Sequence, residues 1–158
     1  MTEPTSDPPK SPFLPPRWVI RNAWRIHRGL FRLSRGRFGL RRPSIDTYGL
    51  MWVTVTGRRS GQPRPVMLGY FDDGPNLVTM AMNGWGAPEP QWWLNLQADP
   101  AADVRLVDGT QSMIGRAAEG EERDRLWARW AEIDDGLDGY ASRRPTETAV
   151  VVFEPQER

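Results

Sequence analysis

A chain of 158 residues with 39% hydrophobic content is about one domain long and carries enough apolar material for a core. Its apolar residues fall in short runs, far below the roughly 20 that a bilayer span needs, so no transmembrane helix is expected. Cysteine is absent, which excludes disulfides, thiol nucleophiles and cysteine-held metals; the single histidine, His27, rules out a multi-histidine metal site and, lying outside the presumed core, argues against a Ser-His-Asp triad. If the chain is an enzyme, a bound organic cofactor is the expected reactive centre, and no metal is expected.

The net charge of +1 conceals two opposed parts. Residues 1–45 hold ten Lys or Arg against two acids, a net +8, and residues 46–158 hold eleven against eighteen, a net −7. The two parts should meet different partners. Residues 1–16 carry six prolines and little to bury, which reads as a disordered tail. No charged stretch followed by an apolar one opens the chain, so no secretory signal is expected and the default location is cytoplasmic.

Residues 17–42 read as a basic amphipathic helix. The arginines at 17, 21, 25, 28 and 32 recur at helical spacing, with Ile20, Ala23, Trp24, His27, Leu30 and Phe31 on an offset face. Such a helix suits an anionic membrane surface, where each basic residue contributes on the order of 1 kcal/mol. It equally suits docking on its own domain with a solvated arginine face. Nucleic acid is the least favoured partner, and none is expected.

Residues 43–158 turn β-rich and read as one domain. Leu50–Thr56, Pro65–Phe71, Leu77–Met82, Asp103–Val107, Gln111–Ala118 and Ala149–Glu154 read as strands separated by turn residues. Helices are expected at Pro90–Ala98, with proline suited to the first turn, and at Gly120–Ile133, whose Leu126, Trp127, Trp130 and Ile133 share a face. Six strands with so few helices, in no regular alternation, point to a mainly β (α+β) antiparallel barrel with flanking helices.

Candidate chemistry concentrates in two stretches. The turn Gly57-Arg58-Arg59-Ser60-Gly61-Gln62-Pro63-Arg64 offers three guanidiniums and several backbone N–H groups, the equipment for phosphate or carboxylate. The block Gln91-Trp92-Trp93-Leu94-Asn95-Leu96 offers flat aromatic surface and an amide. Trp92 and Asn95, three residues apart, share a helix face. Together the stretches suggest a site for a large, planar, anionic cofactor, although aromatics at helical spacing also serve as core plugs, the expectation for Trp93. Gly84 and Gly86, after a strand, would let backbone amides approach a flat ring.

These residues, with Trp92-Trp93-Leu94-Asn95-Leu96-Gln97-Ala98-Asp99-Pro100, Arg116-Ala117, Glu122-Arg123, Leu126-Trp127 and the terminal Val150-Val151-Val152-Phe153-Glu154-Pro155, occur in an order and spacing that resembles the deazaflavin (F420)-dependent nitroreductases, also called F420H2-dependent quinone reductases. The resemblance runs from about Leu50 to the end. It implies a split β-barrel and coenzyme F420, with its deazaflavin, phosphate and oligoglutamate tail. It also implies hydride transfer to a quinone, activated enone or nitro compound. Carried over, the cofactor-binding residues are Arg58, Arg59, Ser60, Arg64, Met67, Leu68, Met82, Asn83, Gly84, Gln91, Trp92 and Asn95, with Arg59 and Arg64 on phosphate and tail, Trp92 beside the ring and Asn95 near the phosphate. Tyr140 is the candidate proton donor, with solvent as the alternative. The chain departs from the family pattern where Gly69 replaces a common strand tyrosine, Met82-Asn83 replace a serine and a lysine, and Leu137 replaces one tyrosine of a C-terminal pair.

The expected protein is a cytoplasmic monomer that reduces a small-molecule acceptor, at the inner face of the membrane if its helix rests on lipid. Two alternatives stand beside it: a non-catalytic barrel binding a lipid or apolar metabolite through Met67, Met80, Met82 and Trp85, and a flavin-mononucleotide (FMN) enzyme.

Overall fold

The computed structural model describes residues 16–33, 39–84 and 86–157. The proline-rich tail before Pro16 lies outside them, as do Trp85 and the side chains of Ile20, Trp24, His27, Leu30 and Phe31. Helix α1, Arg17–Leu33, covers the arginine period but does not run to residue 42 as expected: residues 39–42 are not helical, because Arg41 is drawn into a bridge with Leu50. Among the described residues it makes no substantial contact with any strand or other helix, and Trp18, Ile26 and Leu33 stand 60%, 65% and 85% exposed.

The chain joins the barrel before its first strand. Arg41 pairs with Leu50, Leu40 packs against Trp52 and Met67, and Arg42 forms an ion pair with Asp108. Six strands follow: β1 Gly49–Thr56, β2 Pro63–Asp73, β3 Asn76–Met80, β4 Ala101–Leu106, β5 Gly109–Ala117 and β6 Val150–Pro155. They close an antiparallel barrel in the order β1-β2-β3-β6-β5-β4.

Alternation along each strand divides the apolar residues between two faces. Met51, Val53, Val55, Leu68, Val104, Met113 and Phe153 fill the interior, together with Trp92, Trp93 and Leu96 of α2 (Gln91–Ala98). Gly115 admits that plug: a Cβ there would stand 2.5 Å from Leu96 Cδ2. On the outer face Phe71, Val78, Met80, Val150 and Val152 lie under Leu126 and Trp130 of α3 (Gly120–Ile133) and Leu137 of α4 (Leu137–Ala141). The sequence gives no warning of α4, because five residues containing Gly139 are too few for a periodic pattern.

The barrel is weakly joined at one seam. β1 and β2 pair over eight positions, but β2 and β3 over only three, Phe71↔Val78 to Asp73↔Asn76. Where the strands part, Thr79 Oγ1 donates to the Gly69 carbonyl at 2.7 Å. The expected extension of β3 to Met82 fails because Met82 N–H turns back to the Met80 carbonyl at 2.9 Å. On its β3 side, β2 therefore has no strand partner from Pro63 to Tyr70 among the described residues.

Candidate cofactor site

The basic turn is closed by its own backbone. Gly57 N–H donates to the Gln62 carbonyl at 2.9 Å and Gly61 N–H to the Gly57 carbonyl at 2.7 Å, with Gly61 in the left-handed region at φ 65°. Arg58 is aimed from α2: its backbone N–H and Nη1 both donate to Asn95 Oδ1, at 3.2 and 2.8 Å, and Nη2 donates to Gln91 Oε1 at 3.1 Å. Arg64 Nη2 donates to Ser60 Oγ at 3.1 Å, which also accepts from Gln62 N–H at 3.3 Å.

The partners matter more than the distances. Six other arginines sit on carboxylates, in the pairs Arg42–Asp108, Arg116–Glu122, Arg123–Glu147, Arg125–Asp73, Arg129–Glu132 and Arg144–Glu89. Among the described residues Arg58 and Arg64 meet only neutral oxygens and nothing pairs with the exposed Arg59. Among these residues the turn thus presents three positive charges without a carboxylate partner, next to the part of β2 that has no strand partner on its β3 side. That donor set fits phosphate and carboxylate groups.

The remaining predicted residues are distributed less simply. Asn95 is 6% exposed, and its oxygen is engaged by Arg58 rather than left to meet a phosphate directly. Trp92 and Trp93, 7% and 6% exposed, meet edge to face at 6.1 Å, so both are core plugs and the expected division between a ring-facing and a buried tryptophan does not hold. Met67 lies on the outer face with Trp52, while Leu68 belongs to the interior; adjacent strand residues cannot line one surface. Met82 is half-buried against the outer cluster, and Asn83 and Gly84 are exposed in a turn closed by Gly86 N–H to the Asn83 carbonyl at 2.9 Å. Tyr140 is half-buried on α4, with the Arg143 guanidinium 6.0 Å from its ring centre.

Sequence reasoning missed Arg144, whose fully buried guanidinium binds the loop after β3 to the chain beyond α4. An arginine in a polar stretch reads as surface, and no local pattern marks it otherwise. Burial, then the charge of Asp72, pushes Tyr70 up to about 12, and burial also raises Asp72. Tyr70 pairs with Gly49, at the opposite end of the β1–β2 hairpin from the basic turn.

The fold is an antiparallel six-stranded barrel that carries an arginine-rich turn whose donors suit an anionic group. A family model for F420H(2)-dependent quinone reductase matches residues 23–155. An F420H(2)-dependent quinone reductase of Mycobacterium tuberculosis is 28% identical over 144 residues, spanning 87% of this chain and 95% of its own. A solved structure described as a domain-swapped dimer superposes with a TM-score of 0.65 at 27% identity, covering 87% of this chain and 97% of that one. An F420-H2 dependent reductase, FDR-A, does so with a TM-score of 0.61 at 26% identity, covering 66% and 93%. The chain belongs to the F420H(2)-dependent quinone reductase family. It is an oxidoreductase whose cofactor is coenzyme F420. The lipid-binding alternative also meets a physical obstacle, since Trp92, Trp93 and Leu96 already fill the barrel interior.

Proposed function

We propose that the protein passes a hydride from reduced F420 to a quinone or a comparable electron-poor acceptor, with the cofactor's anionic groups on the basic turn and its ring toward the loop after β3. The observation that carries this reading is the turn of three arginines without a carboxylate partner. Arg59 and Arg64 hold phosphate and tail carboxylates, and Arg58, already aimed by Gln91 and Asn95, gives up little freedom in joining them. Ser60 and the neighbouring backbone N–H groups complete the anion site. When bound, the cofactor supplies the hydride from its central ring.

Met82, Asn83 and Gly84 border the ring's place after β3, with Gly84 at φ 53° admitting a flat ring against backbone, while Met67, packed with Trp52 and Leu40, supports β2 from its outer face. Leu68 and Trp92 act from behind, bracing β2 and α2 from the core. Tyr140, on the short helix tied to the same loop, supplies the proton that the reduced acceptor needs. The protein's main contribution is to stack two rings and exclude water.

Helix α1 supports peripheral contact with an anionic bilayer, because Arg21 and Arg25 are exposed along with Trp18, Ile26 and Leu33. Among the described residues no helix is long and apolar enough to cross a membrane. A membrane quinone is then the natural acceptor. Anaerobic mixing of the protein with reduced F420 and menadione tests the activity. Catalysed return of the oxidised cofactor's absorbance is expected; no return, together with no binding of F420, would sink the proposal.

A further inference from the structure

The loop from Ala81 to Glu89 carries three of the residues assigned to the cofactor and leads directly into α2. Its ends are tied by one side chain. Arg144, with none of its side chain exposed, donates from Nη1 to the Ala81 carbonyl at 3.1 Å and to Thr148 Oγ1 at 2.7 Å. Its Nε donates to the Gly86 carbonyl at 3.2 Å and Nη2 to Glu89 Oε1 at 2.7 Å. One guanidinium therefore grips the loop where it leaves β3, past its turn, and one residue before Pro90, the N-cap of α2.

A buried charge is an expensive way to fill space. Burying a guanidinium and a carboxylate costs roughly what their attraction returns, so apolar residues of similar volume would stabilise the barrel at least as well. The fork instead provides direction: three acceptors along the loop and a fourth on Thr148 fix where the loop runs. Two further links extend its reach. Arg144 N–H bonds to the Ala141 carbonyl at 3.0 Å, which couples it to the helix carrying Tyr140. Beyond Glu89, α2 presents Gln91 and Asn95 to Arg58.

We infer that Arg144 is a positioning residue that holds the loop after β3, and through Glu89 the start of α2, in the shape the cofactor site requires. The inference rests on the placement of the F420 ring beside that loop. Arg144 touches no reacting atom in this account; it acts through the loop backbone.

The test is amide hydrogen exchange on the cofactor-free protein, wild type against Arg144→Lys, followed by F420 titration of both. Lysine keeps the charge and loses the fork. Exchange at residues 82–89 should rise at least about tenfold while the barrel strands stay protected, in the manner of local rather than global opening. F420 should bind about tenfold more weakly, because a loosened loop must be ordered on binding. Unchanged loop exchange, or a rise spread evenly over the strands, would overturn the inference by making Arg144 a bystander or a general structural element. Unchanged F420 affinity despite a loosened loop would overturn it too. If Arg144→Lys does not fold, Glu89→Gln is read by the same criteria, since it keeps the shape and removes the charge. The exchange measurement needs no cofactor. Failure of wild type to bind F420 would therefore remove the proposed function while exchange still decides what Arg144 holds.

Discussion

A single oxygen, Asn95 Oδ1, receives both the backbone N–H and the guanidinium of Arg58, and this fixes where one of the turn's three charges points. The amide is neutral, so it orients the guanidinium without cancelling it. Asn95→Asp should separate these two roles. The carboxylate would strengthen the hydrogen bonds, leaving the melting temperature unchanged or higher, yet would neutralise Arg58. F420 should then bind about tenfold more weakly, the scale of one hydrogen bond to a charged group; undiminished affinity would show that Arg58's charge is idle. Tyr140→Phe tests the proton donor. A drop in kcat of about a hundredfold at constant KM for F420H2 is expected, and unchanged kcat would assign the proton to solvent. The charges of the candidate site stood out as Arg58, Arg59 and Arg64 because guanidiniums crowded into one turn need a reason. The roles of Trp92 and Asn95 were not, because a short helix offers the same pattern whether its face meets a ligand or plugs a barrel.

At the scale of elements, α3 is fastened by charge as well as by Leu126 and Trp130. Arg116 of β5 donates to Glu122 at 2.7 and 2.9 Å and to Glu154 of β6 at 2.7 Å, while Arg125 grips Asp73 at the end of β2. Hydrogen bonds from Arg116 hold Glu122 below the ordinary carboxylate range, and those from Arg125 do the same for Asp73. A carboxylate with a depressed folded pKa contributes stability above its unfolded value and loses it as pH falls through the folded one. Asp72, raised by burial, works in the opposite sense. Glu122→Gln should therefore lower the melting temperature at pH 7 by an amount worth about 1 kcal/mol or less, since the pair is half exposed. The gap to wild type should close as the solution is acidified past the carboxylate range; a gap independent of pH would show that Glu122 acts by packing. Strands and both longer helices were legible because alternation, glycine turns and helical spacing are local signals. The early end of β3 was not, since it follows from Met82 turning back on Met80, nor was α4, which is held from outside by Arg144 and the outer cluster.

The whole molecule joins a cationic helix to an acidic barrel. Their separation in charge was visible in the sequence, and the exposed Trp18, Ile26 and Leu33 of α1 are available to a surface. Full-length protein should sediment with vesicles of anionic lipid, and Arg21→Glu with Arg25→Glu should lose most of that binding without loss of turnover on a water-soluble acceptor. Equal sedimentation of the two proteins would contradict membrane contact. A truncation at Ser44 would be a poorer test, because it also strips Leu40 from Trp52 and Arg42 from Asp108.

The central claim is that the uncompensated basic turn binds the cofactor that drives turnover. It is tested most directly by anaerobic steady-state oxidation of F420H2 with menadione, comparing wild type with Arg59→Ala combined with Arg64→Ala. KM for F420H2 should rise about a hundredfold, as two lost charge-assisted hydrogen bonds require, with kcat within about a factor of three, because the reacting ring lies elsewhere. An unchanged KM, or a loss confined to kcat, would contradict the account.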